Sequence, residues 1–402
     1  MSQPTAPSVS IDNPAFRYGP TVLQPVEQPD PKSPDPVDGN PDVTSLDVLK
    51  NFTGTFGGFG FNTIFRPNSK KTPTPKENTD DNVLQLNLTS ETMTFGNPLG
   101  DVPNRGLDNQ PDIMLDGVPY TQTIVDTTEI LKDQKPPIIH FEPGLWMRVP
   151  GSEMPGLQAS FVRMASIPHG TTINAQCFEP AVTSKGSPTI PEVSIMPRSI
   201  ADGQEQPFTS QDASNNSNGR IPQKLGPFIK DGTITEPILK NPNKILVDAN
   251  NGKEIIESTT FTVSTTPAAP ELGGGTSNIG FLIGADSGVA LASVSQRSGN
   301  ANAVKVTAQY WVSKVRAKID LQPCCKMEYK TVSPAASHPR DAIPMFVVDF
   351  DVTSAKTVTV EYTQIQYSQN VILDFNSLSW PHISVATLAP TGLSLKSVIV
   401  DE

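Results

Sequence analysis

Four imidazoles are available to this chain for metal ligation or proton transfer: His140, His169, His338 and His382. They stand far apart, without Glu-x-x-His or His-x-His spacing, so no zinc or di-iron site is encoded locally. His382 is the most informative of them. It lies in Trp380-Pro381-His382-Ile383-Ser384-Val385-Ala386-Thr387-Leu388, which predicts a strand. Alternation puts His382, Ser384, Ala386 and Leu388 on one face and Ile383, Val385 and Thr387 on the other. If the first face lines a barrel lumen, an imidazole points inward beside two small residues that leave room for a flat ligand. His140 precedes Phe141-Glu142-Pro143-Gly144, where it suits a structural hydrogen bond or a lumenal contact. His169 sits in the turn sequence Ile167-Pro168-His169-Gly170-Thr171; there it is either solvated or held over a ligand at a barrel mouth. Nucleophilic and phosphate-loop chemistry lack a signature: Gly-x-Ser-x-Gly is absent, and Gly273-Gly274-Gly275 is not followed by Lys-Ser/Thr.

The elements that must position these residues are strands. Forty prolines in 402 residues is about twice the usual ~5%, and proline removes a helix donor and clashes with the preceding turn. Between the prolines lie Thr/Val-rich alternating runs. Glycines interleave with aromatics over 54–67, Val83-Leu84-Gln85-Leu86-Asn87-Leu88-Thr89 alternates cleanly, and strands follow over 120–126, 138–149, 160–167 and 173–177. Successive strands of this kind predict an antiparallel meander. Residues 1–44 read as an extended Pro-rich arm. Leu46 to Phe52 predicts a short helix capped by Ser45 that plugs one barrel end. Residues 45–178 form the first part of the barrel, 179–300 a loop-rich insertion with one convincing strand at 259–265, and 301–402 the last part. Within 358–375 the apolar phase slips by one residue between Tyr362 and Ile365, which predicts a bulge. The expected fold is therefore all-β, an antiparallel calycin-like barrel with an arm and a large insertion.

With 30 Lys+Arg against 41 Asp+Glu, the net charge is −11, and no basic cluster interrupts that balance; nucleic acid is not an expected partner. No stretch reaches the ~20 apolar residues of a membrane-spanning helix, and residues 1–20 hold no signal-type apolar run. Cys177, Cys324 and Cys325 make a poor disulfide framework. A reduced, cytoplasmic chain is the expectation.

The segments Gly54-Thr55-Phe56-Gly57-Gly58-Phe59-Gly60, His140-Phe141-Glu142-Pro143-Gly144-Leu145-Trp146, Met164-Ala165 and His382-Ile383-Ser384-Val385-Ala386-Thr387-Leu388 resemble, in order, motifs of the nitrobindin family of calycin barrels. The resemblance covers about 45–178 and 300–390. It implies haem b bound in the lumen, with His382 matching the proximal iron ligand and Ile383 replacing a leucine of the family's segment. Because Cys-x-x-Cys-His is absent, such a haem would be held noncovalently. The resemblance thus nominates His382 as metal ligand, Ser384, Ala386, His140, Phe59 and Trp146 as pocket residues, and His169 as distal catalytic donor toward peroxide, peroxynitrite or nitric oxide. Two alternatives stay open: a non-enzymatic carrier of an apolar small molecule, and a structural protein that self-associates through the arm or the insertion.

Overall fold

The structure is a computed structural model that describes residues 46–67, 83–109, 111–129, 135–153, 156–177, 181–216, 219–266, 274–278, 301–326 and 330–401. The arm and Ser45 lie outside the described residues. Ten strands close a barrel: β1 (Gly54–Arg66), β2 (Val83–Phe95), β3 (Ile113–Asp126), β4 (Ile138–Val149), β5 (Ser160–Ser166), β6 (Thr171–Cys177), β7 (Glu254–Ser264), β8 (Asn302–Leu321), β9 (Lys356–Phe375) and β10 (Leu378–Ser394). Each stave pairs antiparallel with the next, and β1 with β10 closes the ring. The weakest seam is β6–β7, a single pair at Gln176 and Ser264, where the short strand Gly275–Asn278 lies along β6 instead. β7 falls within the stretch 179–300, so this part of the chain supplies a barrel stave.

The fold has three apolar layers. Inside, one half of the lumen is packed solid. A 3-10 turn, Asp47–Asn51, inserts Val48, Leu49 and Phe52 from one end, the plug expected from the sequence though wound more tightly than an α-helix. Phe52 stacks on Phe95 at 4.8 Å, and Trp146 meets Tyr310 edge-on at 5.0 Å. Outside, two further clusters cover the staves. Described residues between 190 and 249, including α1 (Gly226–Lys230), α2 (Glu236–Lys240) and α3 (Lys244–Ala249), pack over Phe61, Phe65, Leu84, Leu86, Trp380 and Val385. The 342–352 segment packs over Val315, Val358, Val360 and Tyr362.

This double covering explains the phase slip in β9 without a bulge. Pairing with β8 runs unbroken through Tyr362 to Ile365, and pairing with β10 begins at Ile365. Val358, Val360 and Tyr362 point outward beneath the 342–352 segment, whereas Ile365 and Tyr367 belong to the lumenal core. Apolar residues switch faces because the cover switches sides. The irregularity in the β8–β9 pairing lies on β8 instead, between Ala303 and Lys305.

Two glycines make room for lumenal side chains. A Cβ on Gly144 would stand 2.5 Å from the Tyr120 ring. A Cβ on Gly60 would stand 2.3 Å from the Val385 carbonyl oxygen and 2.7 Å from Glu91 Oε1. Such approaches lie far inside van der Waals contact, so both positions exclude a side chain.

Candidate functional site

The end of the lumen away from the plug holds a cavity of about 510 Å³. His382 and Ser384 of β10, Asn62 and Arg66 of β1, Gln85 and Asn87 of β2, His140 of β4, His169 of the β5–β6 turn and Gln369 of β9 line it, with Ile64, Ile124, Ile139, Ile167, Val371 and Leu373 as apolar wall. His382 therefore lies on the lumenal face, as strand alternation required if that face pointed inward. In a ring of ten staves, the β5–β6 turn lies five staves from β10 and β4 lies four from it. His169 and His140 thus occupy the wall opposite His382, their rings edge to face at 5.2 Å.

Not every nominated residue reaches this cavity. Ala386 and Trp146 point inward but belong to the packed half. Phe59 is on the outer face, where Arg340 lies over its ring at 4.9 Å; strand parity sets it opposite Phe56, which faces the core. Among the described residues no group of His, Cys, Asp and Glu converges to hold a metal ion by itself.

The wall around His382 is a directed chain of hydrogen bonds. Arg66 Nη1 donates to Gln85 Oε1 at 3.1 Å, Gln85 Nε2 to Asn87 Oδ1 at 2.9 Å, and Asn87 Nδ2 to Asn62 Oδ1 at 3.0 Å. Asn62 Nδ2 then donates to His382 Nε2 at 2.5 Å and to Ser384 Oγ at 2.7 Å. A guanidinium only donates, so it fixes the orientation of every amide after it. Reversing the chain would set the Gln85 amide hydrogens against Arg66. His382 Nε2 is consequently an acceptor, and the neutral ring carries its hydrogen on Nδ1. Burial, aided by His140 and His169, pushes the His382 pKa down to about 4.

The opposite wall is built around a carboxylate. Glu142 is fully buried and pairs with Arg163 at 2.6 Å. Tyr120 Oη also donates to it, as does His140 Nε2 at 3.2 Å. Burial alone would raise the Glu142 pKa, but the Arg163 charge and the His140 and Tyr120 hydrogen bonds outweigh it and hold the carboxyl at about 2. The ionised carboxylate only accepts, so His140 must carry a hydrogen on Nε2. Arg163 is spent on Glu142, Tyr120 and Gln369, which leaves a satisfied buried pair. His169 Nε2 accepts a long 3.4 Å bond from the Phe141 amide. Its pKa is lowered by burial and by His140, partly offset by Glu142. Between the walls, Glu91 accepts from Tyr367, Gln122 and Thr89, yet burial raises its pKa above the ordinary value.

Arg66, Gln85, Asn87, Asn62, Glu142 and Arg163 escaped sequence reasoning. Their signal was strand parity: Gln85, Asn87, Thr89 and Glu91 share one face of β2. With apolar Leu84, Leu86 and Leu88 on the other face, that polar side reads as solvated until the outer covering is known. No family model, no curated protein and no solved structure matches the chain.

Proposed function

We propose that this protein binds a small molecule in the lumenal cavity, between His382 on one wall and His140 with His169 on the other. The observation that carries the reading is the convergence of three histidines from remote parts of the chain on one half-open, partly apolar cavity of about 510 Å³. Packed barrels do not leave such space without cost, and convergent polar groups around an apolar pocket are the usual form of a ligand site.

The resemblance of the β10 segment to nitrobindin-type barrels makes haem b the specific candidate. The residues fit it in part: His382 is lumenal and held neutral, the state in which an imidazole ligates iron. One contact stands in the way, because Nε2 is engaged by Asn62, so Asn62 must turn aside before that nitrogen can ligate. In this reading His382 would hold the iron, and His169 and His140, across the cavity, would orient a small oxidant. Bound haem would supply peroxide, peroxynitrite or nitric oxide chemistry. The engagement of Nε2 favours a second reading, in which the barrel carries an iron-free ligand.

Titration with haemin separates the two. The haem reading expects a saturable Soret band that His382→Ala abolishes and Asn62→Ala strengthens. A band indifferent to His382→Ala, or none at all, rejects haem ligation and leaves the carrier reading.

A further inference from the structure

The cavity is bordered by a net charge of one sign. Although the chain carries −11 overall, among the described residues no Asp or Glu lines the cavity, and Arg66 is the one guanidinium or ammonium there. Among the described residues the Arg66 side chain makes one hydrogen bond, to Gln85, and has no carboxylate partner. A guanidinium offers five N–H donors in a planar fork, so most of this one is unengaged. Five other arginines of the molecule are treated differently. Arg163 is paired with Glu142, Arg316 with Glu361 and Glu254, Arg198 with Glu205 and Arg105 with Asp112, and Arg220 donates from both terminal nitrogens to four backbone carbonyls.

We infer that the ligand is an organic monoanion, a carboxylate on an apolar body, with its charged head on the Arg66 fork. The inference rests on the small-molecule reading of the cavity and names the chemical class it selects. A carboxylate matches the fork with two parallel hydrogen bonds. A phosphomonoester dianion asks for a second cation, and among the described residues no lysine lines the cavity. The body lies along Ile64, Ile124, Ile139, Ile167, Val371 and Leu373, with the amides of Gln122 and Gln369 as polar contacts further in. A neutral ligand would leave the Arg66 donors unused, and an acidic one completes them.

Two fluorescent probes with the same flat body test it: 1-pyrenebutyrate and 1-pyrenebutanol, titrated into the full chain and into Arg66→Met, Arg66→Lys and Leu373→Trp. The expected result is binding of the acid about tenfold or more tighter than the alcohol. Arg66→Met should bring the acid to the level of the alcohol without changing the alcohol, Arg66→Lys should keep part of the preference, and Leu373→Trp should weaken both probes. Equal affinities in the unaltered protein, or a preference that survives Arg66→Met, overturns the anion assignment while cavity binding stands. If neither probe binds, or both bind Leu373→Trp undiminished, the small-molecule reading itself falls, and the assignment with it.

Discussion

Around His382 every amide from Arg66 onward passes a hydrogen toward the imidazole, so that Nε2 receives one. Around His140 the direction is reversed: Glu142, itself supplied by Arg163 and Tyr120, takes a hydrogen from Nε2. Both chains start from an arginine. What differs is whether a carboxylate intervenes, and that one residue inverts the role of the ring nitrogen. Two histidines facing one cavity are thus held as complementary partners, one with Nε2 as acceptor and the other with Nε2 as donor. A ligand between them meets walls of fixed and unlike polarity, which is the preorganisation a selective site needs.

The largest effects should come from the carboxylate wall. Arg163→Met leaves Glu142 buried and unpaired, and removing one partner of a buried pair costs about 3–5 kcal/mol. Urea unfolding should show that loss, and the double variant Arg163→Met/Glu142→Gln should recover much of it. Additive losses would mean that the two side chains do not act as a pair. Gly144→Ala attacks the same wall by packing. With the Tyr120 ring only 2.5 Å from the added carbon, a cost of about 1–3 kcal/mol is expected, and a neutral substitution would contradict the packing described.

The His382 wall should appear in the pH dependence of stability. The folded pKa of about 4 lies below the ordinary 6.5, so between these values the unfolded chain binds a proton that the folded chain refuses. Stability therefore rises with pH across that window, is fully present above about 6.5, and is lost as the pH falls toward 4. Glu142, at about 2 against 4.5, adds a second loss as the pH falls from about 4.5 to 2. His382→Gln should flatten the first slope and leave the second; an unchanged profile would show that His382 is not the group responsible. Arg66→Met has the smallest expected effect on stability, under about 1 kcal/mol for one part-exposed hydrogen bond. It should nonetheless loosen the tautomer of His382, because nothing then dictates the amide directions.

Much of the barrel was legible because half-buried strands advertise their period. Residues 83–89 alternate cleanly, glycines interleave with aromatics over 54–67, and the β1–β6 meander follows from the order of the strands. The site was harder to read because the covering segments turn the usual rule inside out. Leu84, Leu86 and Leu88 point away from the lumen, while Gln85, Asn87 and Glu91 point into it. Only tertiary context distinguishes that arrangement from a solvated face. The same covering misled the reading of β9, whose apolar residues change faces with no break in pairing. His382 was found because its neighbours are small. Arg66 was missed because its role depends on residues 85, 87 and 62, which meet it only when β1 and β2 pair.

Long-range ¹H–¹⁵N correlation of the imidazoles tests the opposition of the two walls most directly, and with four histidines the spectrum is tractable. The expected result is a neutral His382 carrying hydrogen on Nδ1 and resisting protonation down to about pH 4, alongside a His140 with hydrogen on Nε2. A His382 protonated on Nε2, or titrating near its ordinary 6.5, would contradict the account.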